Sequence, residues 1–380
     1  MAKFIFYDDK IINIMLKDEK PSGGAAVQAY SWIRGLKENG HEVQVITMTS
    51  KSNLLKDECS DIKLLPLFDR KKGIKWLRWI YYRLPYIYRI IKANKPDYLY
   101  QGIPSWQSFI MGIICYKLQI KFILRISNDY LIDNRLYKKS SRLHGFFLNL
   151  GIKLTYCILC QNDYQYEIIK AKYPNKVAFK ISNPIFTRHQ YLPSNSNFRN
   201  YIAWIGLFQY QKNIPLLYDI ACALANENFV IAGNEDVGCD SKTAFFLKKL
   251  KSLPNVKFVG FLERDEILSF LGGAKYLLNT SFYEGFSNTF LEAMVAGTPI
   301  ITSCNVNPDG IITSNNLGIV YKDLTDLQLK YASVSRMERM KMSKNVIDYV
   351  SKNHNYKIMA HNLYNYLQMK KQDKYTNVSY

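Results

Sequence analysis

The sequence predicts an α/β protein with two parallel, doubly wound sheets in succession. Three observations lead there. Short apolar runs alternate with helical stretches along the chain. The alternation halts at a polar stretch near the middle and then restarts. Finally, 380 residues suit two domains at roughly 100–200 residues each, and 48% apolar residues suffice for a core in both.

The first half opens as a strand–helix–strand unit. Residues 3–7 form a short apolar strand, and a loop follows that ends in Pro21-Ser22-Gly23-Gly24. Residues 25–38 then carry Ala26, Ala29, Tyr30, Ile33 and Leu36 at helical spacing. Asn39-Gly40 ends that helix, since glycine tolerates the left-handed cap, and 42–47 alternates into a second strand. Further strands are expected at 98–100, 121–126 and 156–159. Ser182-Asn183-Pro184 and the polar stretch 193–200 mark a boundary, giving domains over 1–187 and 188–380. Beyond it, strands are expected at 201–205, 229–232, 256–259, 276–279 and 299–302, with helices at 214–224, 264–271 and 288–296. The tail from 335 to 371 reads as helical, and its last helix could pack back on the N-terminal domain.

Charge narrows the function. Fifty-one Lys and Arg against 31 Asp and Glu leave +20, which implies an acidic partner: nucleic acid, an anionic membrane or phosphorylated ligands. No secretory signal is read, because the first apolar run is followed by Asp8 and Asp9. The best uncharged stretch, 98–116, is interrupted by Gln101, Gly102, Pro104 and Gln107 and is not read as a membrane span. Seven cysteines, scattered and odd in number, point to free thiols in a reducing compartment. Cys157 and Cys160 form a lone CxxC inside a strand and are read as structural. Five histidines form no HExxH pair, which argues against a zinc hydrolase.

The strongest signal is 283–302, YEGFSNTFLEAMVAGTPIIT. Glu284 and Glu292 stand eight positions apart, separated by a turn, Gly285-Phe286-Ser287-Asn288, that opens a helix. A helix N-terminus offers free N–H groups and positive dipole, a ready site for a diphosphate. Glu284 before the helix and Glu292 two turns into it could then meet opposite ends of one ligand.

This run resembles the E-x7-E signature of the retaining glycosyltransferases of family 4, which have the GT-B fold. Trp204-Ile205-Gly206 with Lys212-Asn213 resembles the G-R-x-x-x-x-K stretch that opens the family's second domain. Gly23-Gly24 before a helix, followed by Gly40-His41-Glu42-Val43, resembles its N-terminal start, and Asn183-Pro184 resembles its interdomain linker. The resemblance implies two Rossmann-like domains facing each other across a cleft. The first would bind the acceptor and face the membrane, and the second would bind the nucleotide sugar.

Carried residue by residue, it implies that Lys212 meets the donor diphosphate and Glu284 the transferred sugar. Gly206, Gly285, Phe286, Ser287, Asn288 and Thr289 would line the donor, and Glu292 would accept the ribose hydroxyls. Gly23 and Gly24 either let backbone approach the donor phosphates or form a plain tight turn. Two departures stand out. Leu207 occupies the place of the family's arginine, with Arg125 and Arg199 as substitutes by sign alone. No histidine follows the strand that ends Leu124-Arg125-Ile126-Ser127-Asn128-Asp129. Asn128 or Asp129 either supplies the polar contact near the sugar, making Asp129 a candidate catalytic residue, or Asp129 caps the next element.

Residues 69–96 hold nine cations, Arg70, Lys71, Lys72, Lys75, Arg78, Arg83, Arg89, Lys92 and Lys95, against one acid, Asp69. Trp76, Trp79, Tyr81, Tyr82, Tyr86 and Tyr88 are interleaved, and Pro85 is expected to break any continuous helix. Cations with interfacial aromatics suit either an anionic bilayer surface or a core helix whose long basic side chains snorkel outward, and Arg135, Lys138, Lys139 and Arg142 add to them in the same half. The reading is therefore a glycosyltransferase acting at the cytoplasmic face of the cell membrane. It would use a nucleotide-diphosphate sugar, a lipid-linked or glycan acceptor and no metal cofactor. An epimerase on the same scaffold, and a basic nucleic-acid-binding protein, are the alternatives.

Overall fold

The computed structural model describes residues 1–380 apart from 9, 18–22, 48–54, 67–71, 75–76, 134, 188–198, 235–238 and 377–380, with backbone alone at 138–139 and 370–376. Asp9, Pro21, Ser22, Asp69, Arg70, Lys71, Lys75, Trp76, the side chains of Lys138 and Lys139, and most of the 193–200 stretch lie outside the described residues. The chain divides into two compact units, Met1–Phe186 with Asn355–Tyr380, and Thr187–His354.

In the first unit, β1 (Lys3–Tyr7), β2 (Glu42–Thr47), β3 (Lys63–Pro66), β4 (Tyr98–Gln101), β5 (Lys121–Arg125), β6 (Cys157–Cys160) and β7 (Val177–Lys180) form one parallel sheet. Their order is β3-β2-β1-β4-β5-β6-β7. Both faces are covered, which is why the central strands are apolar throughout. The helices Ile11–Met15, Gly24–Glu38 and Tyr356–Thr376 pack on one face. Those at Leu84–Asn94, Gln107–Leu118, Arg142–Lys153 and Asp163–Lys172 pack on the other.

The last helix lies against Gly24–Glu38 through a small-residue contact. A Cβ on Gly35 would meet the Tyr356 carbonyl oxygen at 2.3 Å, so only glycine admits this approach. Ala360, Leu363 and Leu367 are fully buried in the same core, and Asn39 Nδ2 donates to the Lys357 carbonyl at 2.9 Å.

Two features of this unit bear on the sequence reading. Cys157 packs on one face of the sheet and Cys160 on the other, as residues three apart on a strand must. They therefore share neither a disulfide nor a metal, and burial pushes the Cys160 thiol up to about 12. Pro85 does not break its helix, contrary to expectation. A π-helical turn, Trp79–Arg83, runs straight into Leu84–Asn94, and Pro85 sits just past the junction, where the change from π to α spacing accommodates it.

The second unit holds β8 (Tyr201–Ile205), β9 (Asn228–Ala232), β10 (Val256–Gly260), β11 (Ala274–Asn279), β12 (Ile300–Ser303) and β13 (Gly318–Tyr321). The order is β10-β9-β8-β11-β12-β13, again all parallel. The helices Ile214–Ala223, Ser241–Lys251 and Leu324–Ser333 cover one face. On the other, Asn288–Val295 packs between Arg264–Gly272 and Arg336–Asn353. The chain winds outward from β8 to β10 and then returns to β11 on the other side of β8. The segments leaving the carboxyl ends of β8 and β11 thus lead to helices on opposite faces, and this switch point is where open α/β sheets bind ligands, in a crevice at the strand ends.

Candidate active site

The two loops at that crevice carry the expected residues. After β8 the backbone passes very close to the end of β9: a Cβ on Gly233 would lie 1.9 Å from the Gly206 carbonyl oxygen. Gly206 N donates to the Ala232 carbonyl at 3.1 Å, and Phe208 N to the Asn234 carbonyl at 3.0 Å. A 3₁₀ turn, Tyr210–Lys212, then brings Lys212 over the sheet end. After β11, Thr280 fastens the neighbouring loop. Its hydroxyl donates to the Lys212 carbonyl at 2.7 Å and accepts from Trp204 Nε1 at 3.1 Å. Phe282 N donates to the Gln211 carbonyl at 2.9 Å, and Gln211 Nε2 donates to the Tyr283 carbonyl at 2.9 Å.

These bonds bring together two side chains 72 residues apart. Lys212 Nζ lies 2.6 Å from Glu284 Oε1, with the side chains only 17% and 13% exposed. Ser281 Oγ donates to the same oxygen at 2.8 Å, leaving Oε2 uncommitted among the described residues. Half-burial makes such a pair stronger than one on the open surface, and makes either charge costly alone.

The helix Asn288–Val295 begins immediately after. Ser287 is its N-cap but makes no capping bond, and its Oγ pairs with Thr289 Oγ1 at 2.8 Å instead. Phe290 N bonds the Ser287 carbonyl at 3.1 Å, and the positive end of the helix dipole lies at this turn, where an anionic ligand is favoured. Phe286 lies against His354 with ring centroids 5.2 Å apart, so its ring serves packing within the unit. Glu292 is half-buried on the helix. Loss of hydration pushes its carboxyl up to about 7, only partly opposed by the Arg264 charge.

Other expected residues lie elsewhere. Arg199 is engaged at the far end of the same helix, where its guanidinium donates to the Gly297 carbonyl, to the Ala296 carbonyl at 3.3 Å and to Ser343 Oγ at 3.3 Å. It caps the helix C-terminus and is not a stand-in for the family arginine. Leu207 projects outward, 42% exposed. In the first unit, Gly23 takes φ +89° as the N-cap of Gly24–Glu38, and both glycines are exposed.

Asn128, rather than Asp129, caps the short turn Asp129–Leu131, accepting from Tyr130 N at 3.3 Å. Asp129 is buried and accepts from Gln165 Nε2 at 2.8 Å and Asn162 Nδ2 at 3.3 Å. Burial raises its pKa while those bonds lower it. Arg125 is also buried, donating to Asn183 Oδ1 at 2.7 Å, and Asn183 Nδ2 donates to Gln161 Oε1 at 2.7 Å. Gln161 N in turn donates to Gln165 Oε1 at 2.9 Å, joining Arg125 to Asp129 through one polar chain.

Sequence reasoning missed Thr280, Ser281, Gly233 and Arg264. The Thr-Ser directly after a strand and before Glu284, and a glycine ending β9, were the available signals. Among the described residues, no three His, Cys, Asp or Glu side chains are grouped to hold a metal ion.

Residues 22–205 match the family model for Glycosyltransferase Family 4, and 193–353 match that for Glycosyl transferases group 1. An uncharacterised glycosyltransferase of Methanocaldococcus jannaschii is 24% identical over 214 residues. That match covers 56% of this chain and 58% of the relative, so it spans less than two thirds of the relative's own length. Among solved structures, Anabaena HepE with UDP and glucose superposes at a TM-score of 0.75 and 14% identity, over 97% of this chain and all of that one. Sucrose-phosphate synthase of Thermosynechococcus elongatus does so at 0.71 and 14%, over the whole of both chains. Staphylococcus aureus TarM does so at 0.71 and 11%, over 96% and 99%. At such identities these likenesses speak for the fold. With its two halves matching the two family models in turn, the chain belongs to the family-4-type glycosyltransferases and has the GT-B fold.

Proposed function

We propose that the protein is a retaining glycosyltransferase. It moves a hexosyl or N-acetylhexosaminyl unit from a nucleotide-diphosphate sugar to a lipid-linked or membrane-associated glycan, in cell-surface polysaccharide synthesis. The observation that carries this reading is the Lys212–Glu284 pair beside an uncapped helix start at the switch point of the second sheet.

In the transfer step, the bond from the anomeric carbon to the β-phosphate oxygen breaks and its electron pair leaves with the diphosphate. Lys212 and the positive dipole end of the helix Asn288–Val295 stabilise that charge, with no resident metal. Glu284 accepts a sugar hydroxyl, and Glu292 accepts two ribose hydroxyls. The acceptor hydroxyl attacks from the face the diphosphate leaves, and its proton passes to the departing phosphate oxygen. No protein nucleophile is required, and the anomeric configuration is kept. Gly23 and Gly24 stand at an exposed helix start of the first unit, the kind of backbone that suits a phosphate. The HepE and TarM structures hold UDP, which makes a uridine donor the first to test.

The acceptor's membrane setting rests on residues 72–92. Ile74, Ile80, Tyr81 and Tyr86 are exposed there beside exposed Lys72, Arg89 and Lys92. Trp79, Tyr82 and Tyr88 pack on the core instead. Each cation near an anionic surface is worth roughly 1 kcal/mol, enough together for reversible docking at the cytoplasmic face. No helix among the described residues is long and apolar enough to cross a membrane.

The test supplies labelled nucleotide sugars and a panel of lipid-linked acceptors, and follows product anomeric configuration by NMR. Transfer with retention is the expected result. Conversion of the donor with no acceptor present would replace this reading by an epimerase.

A further inference from the structure

The loops that hold Lys212 and Glu284 also carry two exposed aromatic rings. Tyr210 is 59% and Phe282 43% exposed, and their rings stack with centroids 5.0 Å apart and planes 29° from parallel. Neither ring hangs on a free loop. The Phe282 amide is bonded to Gln211, and Gln211 is bonded in turn to Tyr283, so the backbone beneath both rings is fixed. Leu207, also exposed, stands three residues before Tyr210 in the same loop. Exposed apolar residues scattered singly are ordinary, but a preorganised aromatic pair beside a ligand crevice marks a binding surface.

From this we infer that Tyr210 and Phe282 form a stacking platform for a pyranose ring of the acceptor glycan. The inference rests on the sugar-transfer reading above. A pyranose presents one face of C–H groups, which carry slight positive charge and suit the negative face of an aromatic ring. Its hydroxyls point outward from the rim, where the Tyr210 hydroxyl is able to meet one. The acceptor fits better than the donor sugar because of depth. Lys212 and Glu284 are largely covered at the strand ends, whereas the two rings stand out at the loop tips. The donor therefore fills the covered floor, and the group arriving from solvent meets the rings.

The experiment measures two affinities on the full chain: UDP by calorimetry, and soluble methyl hexopyranosides by saturation-transfer NMR with UDP present. Tyr210→Ala and Phe282→Ala are compared with the ring-keeping Tyr210→Phe and Phe282→Tyr. The expected result is roughly 5–20-fold weaker pyranoside binding in both alanine variants. UDP affinity stays within twofold, and the ring-keeping variants behave as wild type. Unchanged pyranoside binding in the alanine variants would overturn the platform. So would a parallel loss of UDP affinity, which would assign the rings to the donor. A wild-type protein that binds no nucleotide at all would instead overturn the transfer reading. Pyranoside binding measured without UDP then decides the platform by the same comparison.

Discussion

Both sheets reverse their strand order once, between β1 and β4 in the first unit and between β8 and β11 in the second, yet the side chains at the two reversals differ in kind. In the second unit they are oppositely charged, held at 2.6 Å and still reachable from water. In the first, Asp8 accepts from Lys10 N at 2.9 Å and the others turn inward. Tyr7 donates to Gln107 at 3.2 Å, Gln101 to the Ile103 carbonyl at 3.1 Å, and the nearby cation Arg125 is buried against Asn183. The same topology thus builds one crevice whose charges can exchange partners with a ligand and one whose polar groups hold the fold. Topology says where a ligand can sit, and exposure of the charged groups says where chemistry can happen.

The contrast yields measurable differences between variants. Lys212→Ala and Glu284→Ala should each lower transfer by about 10²–10³-fold, the usual cost of removing one electrostatic stabiliser. Their circular dichroism should still match wild type, although each leaves its half-buried partner charge unpaired at some cost in stability. Asn183→Ala should do the opposite. It strands the buried Arg125 guanidinium and should cost about 2–4 kcal/mol of stability by denaturant titration, with activity per folded molecule nearly kept. Equal activity losses in the two sets would erase the distinction between the crevices.

Glu292 adds a pH signature to the second unit. Its carboxyl is raised from an ordinary 4.5 to about 7 in the fold, so the stability it contributes is complete below pH 4.5 and lost as pH rises through 7. Glu292→Gln should therefore match wild type near pH 4.5 and exceed it above pH 7, by at most about 3 kcal/mol. Nucleotide binding should run the other way in wild type, weakening below pH 7 as the carboxylate we propose for the ribose hydroxyls is protonated. The glutamine variant should show a flat profile. The smallest effect expected is from Leu207→Arg, which restores the family's cation on an exposed side chain. A gain of about 1.5–5-fold in nucleotide affinity fits one exposed charge.

Much of the second unit was legible because its strands are apolar runs and its helices are punctuated by Asn213, Gly285 and Gly297. β3, β7 and β13 were not, and all three lie at sheet edges. An edge strand is covered less: Lys63-Leu64-Leu65-Pro66 carries a proline and buries one residue, and Val177-Ala178-Phe179-Lys180 buries none, so neither reads as a core run. At the site, Lys212 and Glu284 could be named separately from the motifs. Their pairing could not, since it depends on loops after β8 and β11 becoming neighbours across 72 residues. The inward turn of Arg125 was equally hidden. Its position ends a strand in the sequence, and only the packing of Gln161 and Asn183 around it fixes its direction.

The most direct test is the affinity of UDP for wild type and Lys212→Ala, measured side by side by calorimetry at pH 8, with Asn183→Ala as the control from the other crevice. Binding should weaken at least tenfold in Lys212→Ala and stay within twofold in folded Asn183→Ala. Equal affinity in wild type and Lys212→Ala would contradict the assignment of the donor diphosphate to the second unit's switch point.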